Sequence, residues 1–403
     1  MRIKTNEVIY RDDLYPRFEP SQSTIQKYSD SVDQLPPIKL NQNNILIDGF
    51  HRWKAHQLAG MDDISYVVIQ TDSEKHLKQL AYQYNSIHGL QLKTEEKKRF
   101  AQEMFGQVSV DVMCEILSVS QRSIFKWTET QVKANKKNRE RKIFEMYLRA
   151  WNTQQGIADL FDVDHATIKR IVEKNVQNCT DAKMHNFSPF IYNIWNTQKQ
   201  DNERKHFGAF PEIFMQNLIH FHTDPMDIIF DPFGGGGTTI DVCKQMVRRY
   251  YVSDRKVIPG REKDIREHDI ANGLPDDLQK PKLVFLDPPY WKQAEGKYSE
   301  DAEDLGNMAL NEFNSSMENL FSEISKRKID KIAVVIQPTQ YSNDFKWQDH
   351  IFDFDKMLPG YKIVMRYILP YSTQQYQPQN VIKAKEENKC LGLNRDLVVW
   401  ERL

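Results

Sequence analysis

IIFDPFGGGGTTIDVC, residues Ile228–Cys243, places an apolar strand, the acidic Asp231 and four consecutive glycines directly before the polar start of a helix. A glycine-rich turn between a strand and a helix lets the backbone approach a ligand closely and directs free helix N–H groups at a polar or negative group. A phosphate loop needs Lys and Ser or Thr after its glycines, and a dinucleotide fingerprint needs a glycine where Ile240 stands. The stretch therefore favours a ligand site of another kind, with a merely close-packed glycine turn as the alternative.

A second stretch, LVFLDPPYW at Leu283–Trp291, again ends an apolar strand in an aspartate. Further short apolar runs at Tyr250–Val252 and Lys331–Ile336 are typical of strands buried in a parallel sheet with helices on both faces. In such open sheets ligands bind beyond the carboxyl ends of the strands, where both motifs fall. We therefore expect residues 185–403 to form one α/β domain with its site at this edge.

The two motifs resemble those of the amino-group DNA methyltransferases, which methylate N6 of adenine or N4 of cytosine with S-adenosylmethionine (AdoMet). The resemblance begins upstream at FGAFPEIFMQNLI, Phe207–Ile219, and implies a Rossmann-like fold with DPFGGGGT as the AdoMet loop and DPPY as the catalytic motif. It implies no metal. The cofactor-binding residues it implies are Phe210, Pro211, Asp231, Phe233, Gly234, Gly235, Gly236, Thr238, Thr239, Asp254 and Asp269, and the catalytic residues are Asp287, Pro288, Pro289 and Tyr290.

The chemistry explains why the catalytic motif has these residue types. An exocyclic amine is a poor nucleophile because its lone pair is delocalised into the ring. If the Asp287 carboxylate and the Pro288 carbonyl each accept one amine hydrogen, the lone pair turns toward the methyl donor, while Tyr290 offers a face for an extruded base. Methylation at cytosine C5 needs a cysteine nucleophile after proline, and no cysteine of this chain follows one. The resemblance implies a preference of DPPY enzymes for adenine N6, and cytosine N4 stays open.

Residues 1–105 alternate short strands with helices, and Ser23 and Ser73 are predicted to cap two of them. This region resembles the ParB-like N-terminal domain, a small α/β domain, through the stretches LPPIKL, LIDGFHRWKAHQLAG and YNSIHGLQLKTEEK. This resemblance makes Gly49, His51 and Arg52 a candidate anion site at a helix start. Because GFHR replaces the GERR of CTP-hydrolysing relatives, CTP binding and hydrolysis stay open, and a structural or DNA-facing role is preferred for His51 and His88.

Residues 106–178 contain one pattern twice, in Val112–Trp127 and Gly156–Ile171. Each copy predicts helix, three-residue turn and helix, with Val119 or Val163 filling the angle, as in a helix-turn-helix; a plain helical hairpin is the alternative. A basic stretch, KANKKNRERK, accompanies them and favours double-stranded DNA as the partner. The candidate DNA-binding residues are Gln121, Arg122, Lys126, His165, Thr167, Lys169 and Arg170, and residues 371–380 are a candidate DNA-contacting loop.

The whole chain has 55 basic and 56 acidic side chains and a net charge of -1, which argues against coating of nucleic acid over its entire surface. The average conceals Gln121–Arg149, with nine basic and three acidic side chains. Its four cysteines form no CxxC pair, and we see neither a signal peptide nor a membrane span, so we expect a cytoplasmic protein of a prokaryote or a phage-infected host.

The sequence thus predicts an α/β multidomain protein: a ParB-like domain (1–105), two helix-turn-helix units (106–178) and an AdoMet-dependent DNA methyltransferase domain (185–403). The predicted function is methyl transfer to a flipped base, with DNA recognition by the N-terminal half. The alternative is a ParB-like DNA clamp or regulator with a vestigial methyltransferase domain. A homodimer and a cognate restriction system are both left open.

Overall fold

The computed structural model describes residues 1–87, 92–183, 187–196, 210–292, 295–296, 300–340, 347–370 and 378–403. The chain divides into two compact units, which we call unit 1 (Met1–Arg139) and unit 2 (Glu140–Leu403). His88, residues 207–209 and residues 371–377 of the predicted DNA-contacting loop lie outside the described residues. In the ranges given, no helix is both long enough and apolar enough to cross a membrane.

Unit 1 begins with a small mixed α/β fold, as predicted. Its strands pair in the order β1-β4-β2-β3, with β2 and β4 parallel and the other two pairs antiparallel. The first helix is capped by Ser21, whose hydroxyl accepts the Thr24 N–H, so the predicted cap at Ser23 was wrong. The elements are β1 Arg2–Lys4, α1 Gln22–Ser29, β2 Ile38–Leu40, β3 Leu46–Asp48, α2 Phe50–Leu58, β4 Asp63–Val68, α3 Glu74–Ile87 and α4 Thr94–Glu103.

Both predicted helix-turn-helix copies have the expected local structure. The first consists of α5 (Val110–Leu117) and α6 (Gln121–Leu148), and the second of α7 (Gln154–Phe161) and α8 (His165–Lys183). Each first helix ends in a left-handed residue, Ser118 or Asp162. The Ser120 and Asp164 side chains then accept backbone N–H groups of the following helix, which satisfies donors that a helix start leaves free.

Unit 2 contains a sheet with the strand order β12-β13-β9-β8-β5-β6-β7. The five strands from β9 to β7 are parallel to their neighbours, and β13 returns antiparallel to β9. Its other elements follow in chain order: α9 Glu212–His222, β5 Ile228–Asp231, α10 Thr238–Met246, β6 Arg249–Asp254, β7 Arg266–Glu267, β8 Leu283–Leu286, α11 Leu310–Lys326, β9 Lys331–Ile336, β10 Thr339–Gln340, β11 Trp347–Gln348, α12 His350–Met357, β12 Tyr361–Pro370, α13 Pro378–Glu386 and β13 Asn394–Arg402.

Helices cover both faces of this sheet, which confirms the Rossmann-like architecture. One core cluster joins Phe285 and Leu397 to helices α9 and α10, and a second joins Val284 and Val398 to α11 and α12. Neighbouring strand residues thus contribute to opposite cores, because side chains alternate across a strand. The strands are almost wholly apolar because both faces are covered.

The second helix-turn-helix copy packs onto this sheet. Ile157 and Ile168 are buried in the same cluster as Phe285. The Ala150 N–H donates to the Tyr250 carbonyl at 2.8 Å, and the Arg149 guanidinium donates to Asp264 at 2.8 Å. The two copies therefore belong to different compact units, although sequence reasoning grouped them together.

Candidate active site

The glycine-rich turn is tied to the strand before it through Asp231. This carboxyl group is 2% exposed and accepts the Thr239 hydroxyl at 2.5 Å and the Phe233 N–H at 2.9 Å. Burial raises the pKa of Asp231 to about 7, although both hydrogen bonds oppose this rise. Asp231 thus fixes the path of the chain from β5 into α10.

Two glycines are required by the shape of the turn. A Cβ at Gly234 would lie 2.6 Å from Cγ1 of Val252, and the Gly234 N–H donates to the Ser253 carbonyl at 2.9 Å. Gly237, the residue directly before α10, has a φ of +83°, a conformation that residues with a Cβ rarely adopt. The backbone of the turn therefore stays close against β6 and open toward the cleft.

The two acidic residues predicted for the cofactor stand at the same edge. Asp254, at the end of β6, accepts the Gly235 N–H at 2.8 Å and the Lys256 N–H at 3.2 Å. Asp269 accepts the Ala271 N–H at 2.9 Å and pairs with Arg255 at 3.0 Å. Arg255 also pairs with Asp301 at 3.1 Å.

Asp287 directly follows β8 and lies at the same edge of the sheet as this turn. The Tyr290 hydroxyl donates to its Oδ1 atom at 3.0 Å. Burial raises the pKa of Asp287 to about 6, whereas the positive charge of Arg395 and the Tyr290 hydrogen bond act to lower it. Asp287 is therefore a carboxylate that is mostly ionised at neutral pH and can accept a hydrogen bond.

The residue after the motif anchors this loop. Trp291 is 3% exposed, and its indole N–H donates to the Met308 carbonyl at 2.9 Å. Its own carbonyl accepts the Thr339 hydroxyl at 3.2 Å, and that hydroxyl lies 3.0 Å from Nε2 of the buried His350. Tyr290 is thus held on one side by its own hydrogen bond to Asp287 and on the other by the anchored Trp291.

A single cavity of about 1230 Å³ joins the glycine turn to the catalytic motif. Ligand pockets typically hold about 300–1,000 Å³, so the cavity has room for more than one ligand. Pro211, Pro288 and Tyr290 do not line it; Pro211 begins α9 beside it. The predicted residues that line it are Phe210, Asp231, Phe233, Gly234, Gly235, Gly236, Thr238, Thr239, Asp254, Asp269, Asp287 and Pro289.

The candidate anion site in unit 1 has internal partners. Arg52 donates to the Pro36 and Pro37 carbonyls at 2.9 and 2.7 Å and to Asp48 at 2.8 Å. The His51 ring accepts the Ser21 N–H at 2.9 Å, and burial together with Arg17 lowers the pKa of His51 to about 4. His51 is therefore neutral at pH 7, and anion binding here remains a prediction.

The candidate DNA-binding residues lie at the start of α6 in unit 1 and at the start of α8 in unit 2. All are exposed except the half-buried Thr167. Gln121 donates to Asp111 at 2.6 Å, and His165 bonds Gln155 at 2.7 Å, so each fixes the angle within its own copy. Their exposure leaves them accessible to a ligand, and DNA contact remains a prediction.

Sequence reasoning missed Arg255 and Arg395. Arg255 directly follows Asp254 at a strand end, so the strand pattern of the sequence could have predicted its position beside the cleft. Arg395 gave no such signal, because its place beside Asp287 depends on the antiparallel return of β13.

The features of a Rossmann-like methyltransferase are a mainly parallel sheet, a glycine turn after β5 and Asp-Pro-Pro-Tyr after β8, with Asp287 and Pro289 lining the same cavity as the turn. The family model of DNA methylases designated N6_N4_Mtase matches residues 51–257, and the chain belongs to this family. The matched range includes the glycine turn and ends before Asp287.

The chain is also similar to individual proteins. It is 37% identical to the Type II methyltransferase M.XycI of Xanthomonas campestris pv. cyanopsidis over 57 residues, which are 14% of this chain and 19% of the relative. The chain thus spans about a fifth of this relative.

Among solved structures, C-terminally truncated ParB from Caulobacter crescentus, complexed to parS, has 16% identity over 32% of this chain and 69% of its own, with a TM-score of 0.26. An rRNA methylase from Streptococcus thermophilus has 12% identity over 48% of this chain and 98% of its own, with a TM-score of 0.28.

Family membership makes AdoMet the cofactor, and the residues of the cleft fit it. The absence of a side chain at Gly234 lets the turn pack closely against Val252 of β6, and the backbone of Gly234, Gly235 and Gly236 lines the cavity. Asp254 presents a carboxylate of the kind that bonds ribose hydroxyls, and the apolar Phe210 and Phe233 line the same cavity.

Proposed function

We propose that this protein transfers the methyl group of AdoMet to the exocyclic amine of a base in double-stranded DNA, and that the target is N6 of adenine. The observation that carries the proposal is the placement of Asp287 and the glycine turn in one cavity large enough for a cofactor and a base. Such a cavity brings two reactants together, and in-line transfer depends mainly on their positioning.

Each residue of the Asp-Pro-Pro-Tyr motif has its own role in methyl transfer. The ionised Asp287 and the Pro288 carbonyl each accept one amine hydrogen, which localises the nitrogen lone pair. Proline keeps that carbonyl rigid because its ring fixes the backbone φ angle. Tyr290 does not line the cavity, but its bond to Asp287 holds its ring close to the position of the amine, where a base that has left the duplex can stack on it. When bound, AdoMet supplies an electrophilic methyl group on a sulfonium.

DNA targeting is assigned to the helix-turn-helix copies and the ParB-like domain. The candidate contacts in the helix-turn-helix copies are exposed apart from the half-buried Thr167, and the basic stretch in α6 supplies positive charge for the phosphate backbone. We place the protein in the cytoplasm, where its DNA substrate lies. The Type II name of the relative M.XycI suggests a restriction enzyme as a functional partner.

The test is to incubate the protein with mixed-sequence DNA and labelled AdoMet, and then to identify the methylated nucleoside by mass spectrometry. Asp287→Ala should lower transfer by about 10²-fold or more while AdoMet binding persists, because one transition-state hydrogen bond is lost. Asp330→Ala is the matched control, since that carboxylate bonds Lys280 and Lys282 away from the cleft.

Two results would contradict parts of this proposal. Absence of incorporation in the wild-type protein that binds AdoMet would favour the vestigial domain of a DNA-binding regulator. Recovery of N4-methylcytosine in place of N6-methyladenine would retain the enzyme and change its target.

A further inference from the structure

Arg395 is a buried cation at the start of β13. Its side chain is on the same face of the sheet as Phe210, with the guanidinium carbon 5.7 Å from the centre of that ring. Only 9% of the residue is exposed. Phe210 in turn lies 5.2 Å from the ring of Phe285, two residues before Asp287. Arg395 is therefore placed beside Phe210, on the face of the sheet that carries Phe285, and its positive charge acts on Asp287.

We propose that Arg395 is a positioning residue that holds the Asp287 carboxylate ionised and ready to accept the amine hydrogen. This inference rests on the proposed function and deepens it. Arg395 acts through Asp287, and the inference assigns it no contact with the substrate.

The surroundings of Asp287 explain why such a cation is needed. Burial disfavours its charged form, and the buried Asp231 carboxyl at the end of the neighbouring strand β5 is close enough for a charge on either group to disfavour a charge on the other. The Tyr290 hydroxyl and the Arg395 guanidinium favour the charged form. With the pKa near 6, the balance between these groups decides whether Asp287 is ionised at the pH of the cell.

The protonation state matters for catalysis. A protonated Asp287 carries a hydrogen on one oxygen and loses the negative charge that strengthens the bond to the amine. The ionised form is present above the pKa and is lost as the pH falls through it. Removing a nearby positive charge raises a carboxyl pKa by about 1 to 3 pH units, so the active range should move to higher pH.

The arginine also has a packing role that its replacement must respect. Its guanidinium lies over the Phe210 ring, a cation–π contact that is stronger when it is desolvated. Arg395→Lys keeps the charge and part of the stem, whereas Arg395→Met keeps only the stem. Comparing these two variants separates the effect of the positive charge from the effect of side-chain packing. Arg395→Gln is a second neutral variant in case the Met variant does not fold.

The first readout is the pH profile of kcat/KM. We expect an acid limb near pH 6 in the wild type and a limb about 1 pH unit higher in Arg395→Met, with roughly fivefold lower kcat/KM at pH 6 and recovery above pH 8. Arg395→Lys should keep the wild-type limb. Arg402→Met removes an exposed arginine at the other end of β13 and should also leave the limb unchanged.

The second readout needs no methyl transfer. In protein labelled with ¹³C at the aspartate carboxyl groups, the Asp287 signal is assigned by its absence in Asp287→Asn and titrated in each variant. An unchanged Asp287 titration in both neutral variants, or an unchanged acid limb, overturns the inference. If the wild type transfers no methyl group, the proposed function fails, and the titration still decides whether Arg395 holds Asp287 ionised.

Discussion

Gly234→Ala tests whether the glycine turn is a cofactor cradle. The added Cβ would lie 2.6 Å from Cγ1 of Val252 and 3.2 Å from the Ser253 carbonyl, whereas ordinary contacts are 3.4–4 Å. Val252 is fully buried in β6 between two paired strands and has no space into which to move. The turn must therefore move by about 1 Å, and overpacking of this kind costs about 1–3 kcal/mol.

The strain should appear mainly in cofactor binding. The free turn relaxes away from β6, and AdoMet must then restore the strained geometry, which corresponds to a roughly 5- to 150-fold weaker affinity. Isothermal titration calorimetry measures the affinity, and urea unfolding measures the remaining loss of stability. Gly360→Ala is the control, because nothing lies within 4 Å of its Cβ and its φ is not left-handed. A Gly234→Ala protein with wild-type affinity and urea midpoint would refute the reasoning.

Two further predictions concern the core of unit 2 and the basic stretch. Burial alone would raise the pKa of Asp264, but hydrogen bonds from Lys244, Tyr250 and Arg149 outweigh this effect and hold the pKa at about 2. Asp264→Asn should therefore lower the free energy of unfolding at pH 7 by about 2 kcal/mol. In the wild type this contribution to stability is complete above about pH 4 and is lost as the pH falls toward 2. Urea unfolding at several pH values measures it, and equal urea midpoints for the wild type and Asp264→Asn at pH 7 would contradict the prediction. The double variant Lys136→Gln/Lys137→Gln should weaken binding to every DNA sequence alike and make the slope of log affinity against log salt shallower by up to about 2, as measured by fluorescence anisotropy. Lys362→Gln, an exposed lysine of unit 2, should leave the slope unchanged, and a loss confined to one DNA sequence would point to base contacts instead.

Local patterns in the sequence predicted the strands and turns well because their causes are local. Leu283–Leu286 and Lys331–Ile336 have the bounds that their apolar runs indicate. The cap at Ser21 was misplaced by two residues, since Ser21 and Ser23 both have the hydroxyl that a helix start requires, and the sequence does not say which N–H is free. The basic stretch joins the recognition helix in one α6 of 28 residues, because no glycine or proline interrupts it and Glu129–Lys133 and Arg141–Glu145 form pairs four residues apart.

The local sequence pattern could not predict which residues far apart in the chain pair with each other. Arg149 and Asp264 are separated by 115 positions and meet only because the segment after α6 pairs beside Tyr250. The charge of Arg395 acts on Asp287 only because the strand order β13-β9-β8 brings β13 close to β8. The motifs therefore located the site, whereas its electrostatics required the folded sheet.

The division into units changes how DNA recognition connects to catalysis. Ile143, Phe144 and Leu148 of α6 are buried with Ile157 and Ile168 in the core that contains the sheet of unit 2. Burying one such side chain contributes about 1.5–3 kcal/mol, which is a large fraction of the roughly 5–15 kcal/mol net stability of a domain, so truncating any one of them should destabilise unit 2. The second helix-turn-helix copy is thus part of the methyltransferase core as well as a candidate DNA contact. Changes to its buried residues should alter folding, and only its exposed residues, such as Lys169 and Arg170, report on DNA binding.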